Sequence, residues 1–268
     1  MDSTAALAAY DQQIRQSPDP EGPGGRVEGA DGVIRHVGAA AHDWNGVLWS
    51  DLDPATADAA IAAQVRLFTG LGREFEWKLY SHDLPADLPE RLLAAGFAPE
   101  PAETLMVTEV DALPLDAAAP EGIELVPVTD EAGVRLMVAA HDRAFGSDGA
   151  ALGRQVLDQL TAAPDTLAVV VALAGDEPVS SARIEFRPGT DFAGLWGGGT
   201  VAAWRGRGIY RALIAHRARL AAARGVRYLQ VDASSESRPI LRRLGFAELA
   251  TTTPYVYRPG EPLSPGAR

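Results

Sequence analysis

The stretch Gly197-Gly-Gly-Thr-Val-Ala-Ala-Trp-Arg-Gly-Arg-Gly-Ile-Tyr-Arg-Ala-Leu213 decides the fold that we expect for this chain. Aromatic and bulky apolar residues mark positions 192–201, which is typical of a strand. Apolar residues recur on one face of positions 209–220, which predicts a helix. Between them lies Arg205-Gly-Arg-Gly208, a basic turn with two glycines that we call the glycine turn. The sequence therefore predicts a strand, a turn and a helix in this order.

The glycine turn has the composition of a site for a phosphate or pyrophosphate. Glycine lets the backbone bend sharply and approach a ligand, and the first N–H groups of a helix lack partners at the positive end of its dipole. Arg205, Arg207 and Arg211 add guanidinium groups that match phosphate oxygens. The alternative is a solvated turn that binds nothing. A dinucleotide motif would need glycine at Arg211, and a P-loop would need a following Gly-Lys-Ser/Thr, so both are excluded.

The segments after the glycine turn add further motifs. Tyr228-Leu-Gln-Val-Asp232 predicts a strand, and Pro239-Ile-Leu-Arg-Arg-Leu-Gly-Phe246 predicts a short helix that ends in a Gly-Phe turn. This order resembles the GNAT N-acetyltransferase superfamily, whose acetyl-CoA motif Gln/Arg-x-x-Gly-x-Gly/Ala places its glycines on Gly206 and Gly208. The first position of that motif falls on Ala203, which is a departure. The resemblance implies a mixed α/β sheet flanked by helices, with acetyl-CoA as the cosubstrate.

The resemblance also implies which residues bind the cofactor. Backbone groups at the end of the strand would bond the pantetheine arm, which assigns Thr200, Val201 and Ala202. The glycine turn and the first helical turn would hold the pyrophosphate, which assigns Arg205, Gly206, Arg207, Gly208, Ile209, Tyr210 and Arg211. Ser234 takes the place of an asparagine often found near the start of the following helix. Three glycines at 197–199 predict a bulge or a close backbone approach, with a plain bend of the sheet as the alternative.

The catalytic residues common in GNAT enzymes are missing by position. Many members use a glutamate to deprotonate the amine, and a tyrosine four residues before the Gly-Phe glycine to protonate the thiolate; here that tyrosine position is Leu241. Strand alternation puts Glu185 on the face opposite Ile184, which makes it the candidate base, with an ion pair to Arg183 as the alternative. Tyr255 is the candidate acid, with packing in the core as the alternative.

The first part of the chain repeats the order of elements of the second part. Gly96-Phe97 corresponds to Gly245-Phe246, and at the same spacing Asp83 corresponds to Asp232. In place of the glycine turn, residues 51–58 carry three aspartates, which would repel a pyrophosphate. These identities are few, so chance similarity is the alternative to duplication.

We therefore expect tandem GNAT-like sheets in an α/β fold. Residues 1–112 form a degenerate GNAT-like domain, residues 113–122 a linker rich in proline and alanine, and residues 123–268 the acetyl-CoA-binding GNAT domain. The length of 268 residues suits two domains.

Composition narrows the function further. The chain has no cysteine, which excludes disulfides and thiolate chemistry and fits a cytoplasmic protein. A net charge of −12 argues against broad binding of nucleic acid or anionic membranes. The longest apolar runs are too short to cross a bilayer, and the N-terminus lacks the pattern of a signal peptide. The histidines show no metal-binding spacing, so we expect no metal.

These observations predict an N-acetyltransferase that moves acetyl from acetyl-CoA directly to the amine of a small molecule. The sequence leaves the acceptor and the oligomeric state open. The alternative is a non-catalytic acyl-CoA-binding or partner-binding protein of the same fold, because Leu241 replaces the usual tyrosine.

Overall fold

The computed structural model describes residues 1–20, 22, 24–40 and 43–260, which form two compact units. The C-terminal unit comprises Met1, Met106–Val231 and Ile240–Ala247. The N-terminal unit comprises Asp2–Leu105, Asp232–Pro239 and the chain from Glu248 onward. The predicted linker, residues 113–122, lies inside the C-terminal unit. The predicted domains of consecutive residues stay a prediction, and residues 261–268 of the second lie outside the described residues.

The elements alternate between helices and strands, as the sequence predicts for an α/β chain, and this class is confirmed. The helices are α1 Ser3–Tyr10, α2 Ala57–Leu71, α3 Leu88–Ala94, α4 Glu131–Phe145, α5 Ala150–Ala162, α6 Ile209–Ala223 and α7 Arg238–Arg243. The strands are β1 Arg26–Ala30, β2 Val33–Val37, β3 Gly46–Ser50, β4 Phe75–Tyr80, β5 Ala98–Pro99, β6 Glu103–Glu109, β7 Ile123–Val128, β8 Leu167–Ala174, β9 Glu177–Phe186, β10 Phe192–Thr200, β11 Tyr228–Ala233 and β12 Ala247–Tyr257. Within the described residues, no helix has the length and apolar content that crossing a membrane requires.

In the C-terminal unit the strands follow the order β11-β10-β9-β8-β7. Strands β10 and β11 pair in parallel, and the other neighbours pair antiparallel. Valine dominates β8, and its side chains alternate between two cores, as expected of a strand covered on both faces. Val169 and Val171 pack with α4 and α5, whereas Val170 and Ala172 pack with α6.

In the N-terminal unit the strands follow the order β1-β2-β3-β4-β12, and β5 pairs with β12. Its core contains Phe68 of α2, stacked on Phe75 of β4 with ring centroids 4.3 Å apart. Helix α2 ends at Gly72, whose φ of 64° is favourable for glycine. Residues 54–56 form a turn before this helix, and the Asp53 carboxylate accepts hydrogen bonds from the N–H groups of Ala55 and Thr56, each at 2.8 Å.

Candidate active site

Strand β10 separates from β11 halfway along its length. The paired residues of the two strands run from Phe192 with Tyr228 to Gly194 with Gln230, and β10 continues to Thr200 along β9 alone. The pairing with β9 shifts by one residue between Trp196 and Gly199, which forms a β-bulge at the predicted glycines. We call residues 197–199 the glycine bulge. Among the described residues, the separation leaves one side of β10 without a strand partner next to the glycine turn.

The glycine turn leaves a set of backbone donors open to solvent. Gly206 and Gly208 have φ angles of 76° and 87°, in the left-handed region that favours glycine. The N–H groups of residues 206–209 have no acceptor in the described part of the chain, and no side chain there caps α6. A Cβ at Gly206 would meet no atom within 4 Å, and one at Gly208 would meet only Pro120 at 3.8 Å. The turn thus has the open donors and the space that an anion needs.

The three predicted arginines of this region have different contacts. Arg205 donates to the Thr200 carbonyl at 3.0 Å and to the Ala144 carbonyl at 3.3 Å, so part of its guanidinium fixes the turn to β10 and α4. The Arg207 guanidinium lies 4.5 Å from the centre of the Trp204 ring. Arg211 is exposed on the first turn of α6. The two partly engaged side chains still present N–H groups at an exposed surface.

The predicted pantetheine residues are partly occupied by internal hydrogen bonds. Val201 donates its N–H to Val179 at 2.9 Å, and its carbonyl accepts from Trp204 at 2.8 Å. The Thr200 hydroxyl lies 2.9 Å from that of Ser180. Ile209 is buried against β8 and β9, and Ala202 is exposed. The N–H of Ala202 has no acceptor among the described residues.

Tyr210 and Arg217 lie under the glycine bulge on the α6 side of the sheet. A Cβ at Gly198 would approach the Tyr210 ring to 3.0 Å and a guanidinium nitrogen of Arg217 to 3.6 Å. Arg217 is 1% exposed and donates to the carbonyls of Leu213 and Arg183, each at 3.1 Å, while Nη2 has no partner in the described chain. Burial lowers the pKa of Arg217 to about 10 and raises that of Tyr210.

Glu185 lies on the opposite face of β9, and the ion pair that sequence reasoning gave as the alternative is present. The Nε of Arg183 donates to its carboxylate at 2.9 Å. Arg183 lies opposite Trp196 of β10, and a Cβ at Gly197 would be 3.2 Å from its Nη1. The guanidinium therefore lies between Glu185 and the glycine bulge.

A small pocket adjoins the glycine bulge on this face. Met137 and Leu152 supply its apolar wall, and His141, Ser181, Arg183 and Gly197 supply its polar and backbone groups. Sequence reasoning missed His141 because α4 is remote in sequence from the glycine turn. No three acidic or histidine side chains of the described residues are grouped as metal ligands, and the lack of a metal stays a prediction.

Tyr255 and Ser234 lie in the N-terminal unit, whereas Glu185 and the glycine turn lie in the C-terminal unit. Tyr255 is 8% exposed, pairs with Trp77 of β4 and belongs to the hydrophobic core of its unit. Burial raises its pKa. Ser234 is exposed, and its hydroxyl accepts from the N–H of Ser237 at 3.3 Å. The catalytic role of Tyr255 and the cofactor role of Ser234 stay predictions.

Comparison with known proteins agrees with this geometry. The acetyltransferase (GNAT) family model matches residues 136–246. None of the curated protein sequences matches the chain.

Solved structures share the fold at low sequence identity. A GCN5-related N-acetyltransferase from Kribbella flavida has a TM-score of 0.71 and 18% identity, over 97% of this chain and 96% of that one. A GCN5-related N-acetyltransferase from Sphaerobacter thermophilus has a TM-score of 0.62 and 18% identity, over 87% and 79%. A tandem GNAT protein from the clavulanic acid biosynthesis pathway, without AcCoA, has a TM-score of 0.59 and 14% identity, over 86% and 79%. Residues 136–246, from α4 through the glycine turn to the Gly-Phe turn, therefore form a domain of the acetyltransferase (GNAT) family.

Proposed function

We propose that this chain transfers the acetyl group of acetyl-CoA directly to the amine of a small molecule. The observation that carries the proposal is the glycine turn, where open backbone donors, two left-handed glycines and exposed arginines meet at the N-terminus of α6. The diphosphate of a coenzyme A thioester carries the negative charge that complements the N–H donors and arginines of this turn. The unpaired side of β10 supplies room beside the turn for an extended pantetheine arm.

The first part of the chain supports a tandem arrangement with one cofactor site. Asp53 lies just before the turn that leads into α2, where its carboxylate accepts from the N–H groups of Ala55 and Thr56, each at 2.8 Å. Those donors are already paired with a negative charge, so a diphosphate would be repelled there. Residues 1–112 are accordingly proposed as a degenerate GNAT-like domain, and residues 123–268 as the cofactor-binding one.

Binding of acetyl-CoA, measured by calorimetry, tests the proposal. Gly206→Glu should lower the affinity at least tenfold, or about 1.4 kcal/mol, because its carboxylate would face the diphosphate. Gly206→Ala carries the same backbone strain without the charge. Gly175→Glu is a matched control, since Gly175 also has a positive φ and open space but lies in the β8–β9 turn. Wild-type protein that binds no acetyl-CoA, or Gly206→Glu protein that binds it normally, would contradict the proposal.

An assay of acetyl transfer to a broad panel of small amines, monitored through the release of free coenzyme A, tests the catalytic part of the proposal. Glu185 as base and Tyr255 as acid are the sequence-based assignments, and Glu185→Gln and Tyr255→Phe test them separately. The carboxylate of Glu185 is already engaged in an ion pair, with the Nε of Arg183 at 2.9 Å.

A non-catalytic acyl-CoA-binding protein is the second candidate. One observation favours it: Leu241, at the position of the usual tyrosine, is fully buried and offers no proton. Stoichiometric acetyl-CoA binding without transfer to any amine of the panel would select this candidate.

A further inference from the structure

The pocket beside the glycine bulge is lined by one histidine, His141. His141 lies on the last turns of α4, and its side chain is 19% exposed. The pocket that it lines reaches Gly197 of the bulge and Arg183 of β9. Histidine is the side chain that most often acts as a general base, because the ring nitrogen without a hydrogen can accept a proton.

Neighbouring groups fix the orientation of the His141 ring. Its Nδ1 lies 3.3 Å from Oδ1 of Asp142, which also accepts from the N–H of Gly149 at 2.7 Å. The ring of Phe145 lies 4.9 Å from it, centre to centre. A carboxylate at Nδ1 favours the tautomer with its proton there and leaves the lone pair on Nε2. In the described chain Nε2 has no hydrogen-bond partner.

Two charged side chains lie beside His141 in the described contacts and pocket. Asp142 comes from α4 itself, and Arg183 from β9 shares the pocket. Glu185 neutralises Arg183 through the hydrogen bond at Nε. From α5, the pocket receives only the apolar side chain of Leu152.

Phe145 connects this pocket to the cofactor region. A Cβ at Gly199 would be 2.4 Å from the Phe145 ring, so the ring covers the glycine bulge directly. The backbone of the same helical turn accepts from Arg205 of the glycine turn, through the Ala144 carbonyl. The last turn of α4 therefore contacts both the glycine bulge and the glycine turn.

The geometry points to His141, in place of Glu185, as the general base of the proposed acyl transfer, an inference that rests on the proposed function. Nε2 takes one proton from the acceptor ammonium. The freed amine lone pair forms the C–N bond to the thioester carbonyl carbon, and the C–S bond breaks. The second nitrogen proton passes to the coenzyme A thiolate, and the proton held on Nε2 is released to solvent, so that one proton is released per turnover. Asp142 acts as a positioning residue through Nδ1.

The test compares His141→Asn with Glu185→Gln on the same amine. Asparagine keeps a donor near Asp142 but has no group in place of Nε2. His141→Asn should lower kcat about 10²-fold or more and should abolish the acidic limb of the pH profile. The affinity for acetyl-CoA should stay within about twofold of the wild-type value, which is small beside the tenfold change that 1.4 kcal/mol represents. Glu185→Gln should keep that limb. A His141→Asn enzyme with the wild-type rate and pH profile would overturn the assignment.

The tautomer of His141 gives a second readout that needs no acceptor. Nitrogen NMR of the labelled full-length protein should find the neutral ring protonated on Nδ1, and Asp142→Asn should weaken that preference. A ring protonated on Nε2 would overturn the inference. Failure of the proposed function is seen separately: wild-type protein would bind no acetyl-CoA, or would bind it and acetylate no amine, whatever the tautomer.

Discussion

At the residue scale, Arg217 poses the clearest energetic problem in the C-terminal unit. Its guanidinium is fully buried, and no acidic side chain of the described chain pairs with it. Burial lowers its pKa from 12.5 to about 10, which means that the site disfavours the charge by an amount on the order of 3 kcal/mol. Two carbonyl acceptors, on Leu213 and Arg183, offset part of this cost.

Arg217→Met should therefore change the free energy of unfolding by no more than about 1.5 kcal/mol, because the lost hydrogen bonds are balanced by the removed charge. Arg217→Lys should be the worse substitution, by about 2 kcal/mol, because lysine keeps a buried charge but cannot donate to both carbonyls in the same geometry. Urea unfolding of the two variants at pH 7 measures the difference. A methionine variant less stable than the lysine variant would show that the carbonyl contacts dominate.

At the scale of elements, the glycine bulge of β10 and the end of α4 are fitted to each other. A Cβ at Gly199 would lie 2.4 Å from Cε2 of Phe145 and 3.1 Å from the Ala144 side chain. Phe145 is 54% exposed, so its ring can be removed without opening a deep cavity. The end of α4 thus leaves no room for a side chain at residue 199 of β10.

Gly199→Ala should destabilise the protein by about 1–3 kcal/mol through overpacking, and Phe145→Ala should recover most of that loss in the double variant. Thermal and urea unfolding of the two single variants and the double variant measure the coupling between the two sites. Additive effects of the two substitutions would contradict a direct clash between strand and helix.

Two short segments show how much local sequence can predict. Gly96 and Gly245 have φ angles of 96° and 98°, and each is followed by a buried phenylalanine. In both turns the phenylalanine N–H bonds to the carbonyl five residues earlier, on Leu92 and on Leu241, at 3.1 Å. The residue that ends each helix needs a positive φ, which favours glycine, so the local sequence is enough to predict this turn. The matching turns support the proposed duplication.

Other features depend on contacts between segments that are remote in sequence, so the local sequence does not predict them. Strand β1 contains a glycine, and its residues alternate only weakly between buried and exposed positions. Its pairing with β2 is what identifies it as a strand. The Arg183 carbonyl that binds Arg217 and the pocket that joins His141 to Gly197 each unite residues from separate elements. Residue type and spacing predict the glycine turn, because its backbone geometry is local. They do not predict which side chains line the face of β10.

At the scale of the whole molecule, buried tyrosines should govern stability at alkaline pH. Burial raises the pKa of Tyr10 and Tyr80 in the N-terminal unit and of Tyr210 in the C-terminal unit, from an ordinary value of 10.0. The hydroxyls of Tyr10 and Tyr80 lie 3.1 Å apart, and ionisation of either would place a phenolate in a buried site.

The folded state therefore holds these protons at pH values where the unfolded state loses them. The contribution of each tyrosine to stability is fully present below pH 10 and should fall above it, by up to 1.36 kcal/mol per pH unit. Arg217, whose pKa is lowered to about 10, loses its proton first in the folded state and offsets part of this fall. Chemical unfolding from pH 8 to 11, with phenolate absorbance as a second signal, measures this fall. Tyr210→Phe removes one of the buried tyrosines, so the stability of this variant should decline less steeply than that of the wild type. A flat profile to pH 11, or equal slopes for the two proteins, would contradict the coupling between burial and protonation, since each raised pKa obliges the folded chain to retain a proton.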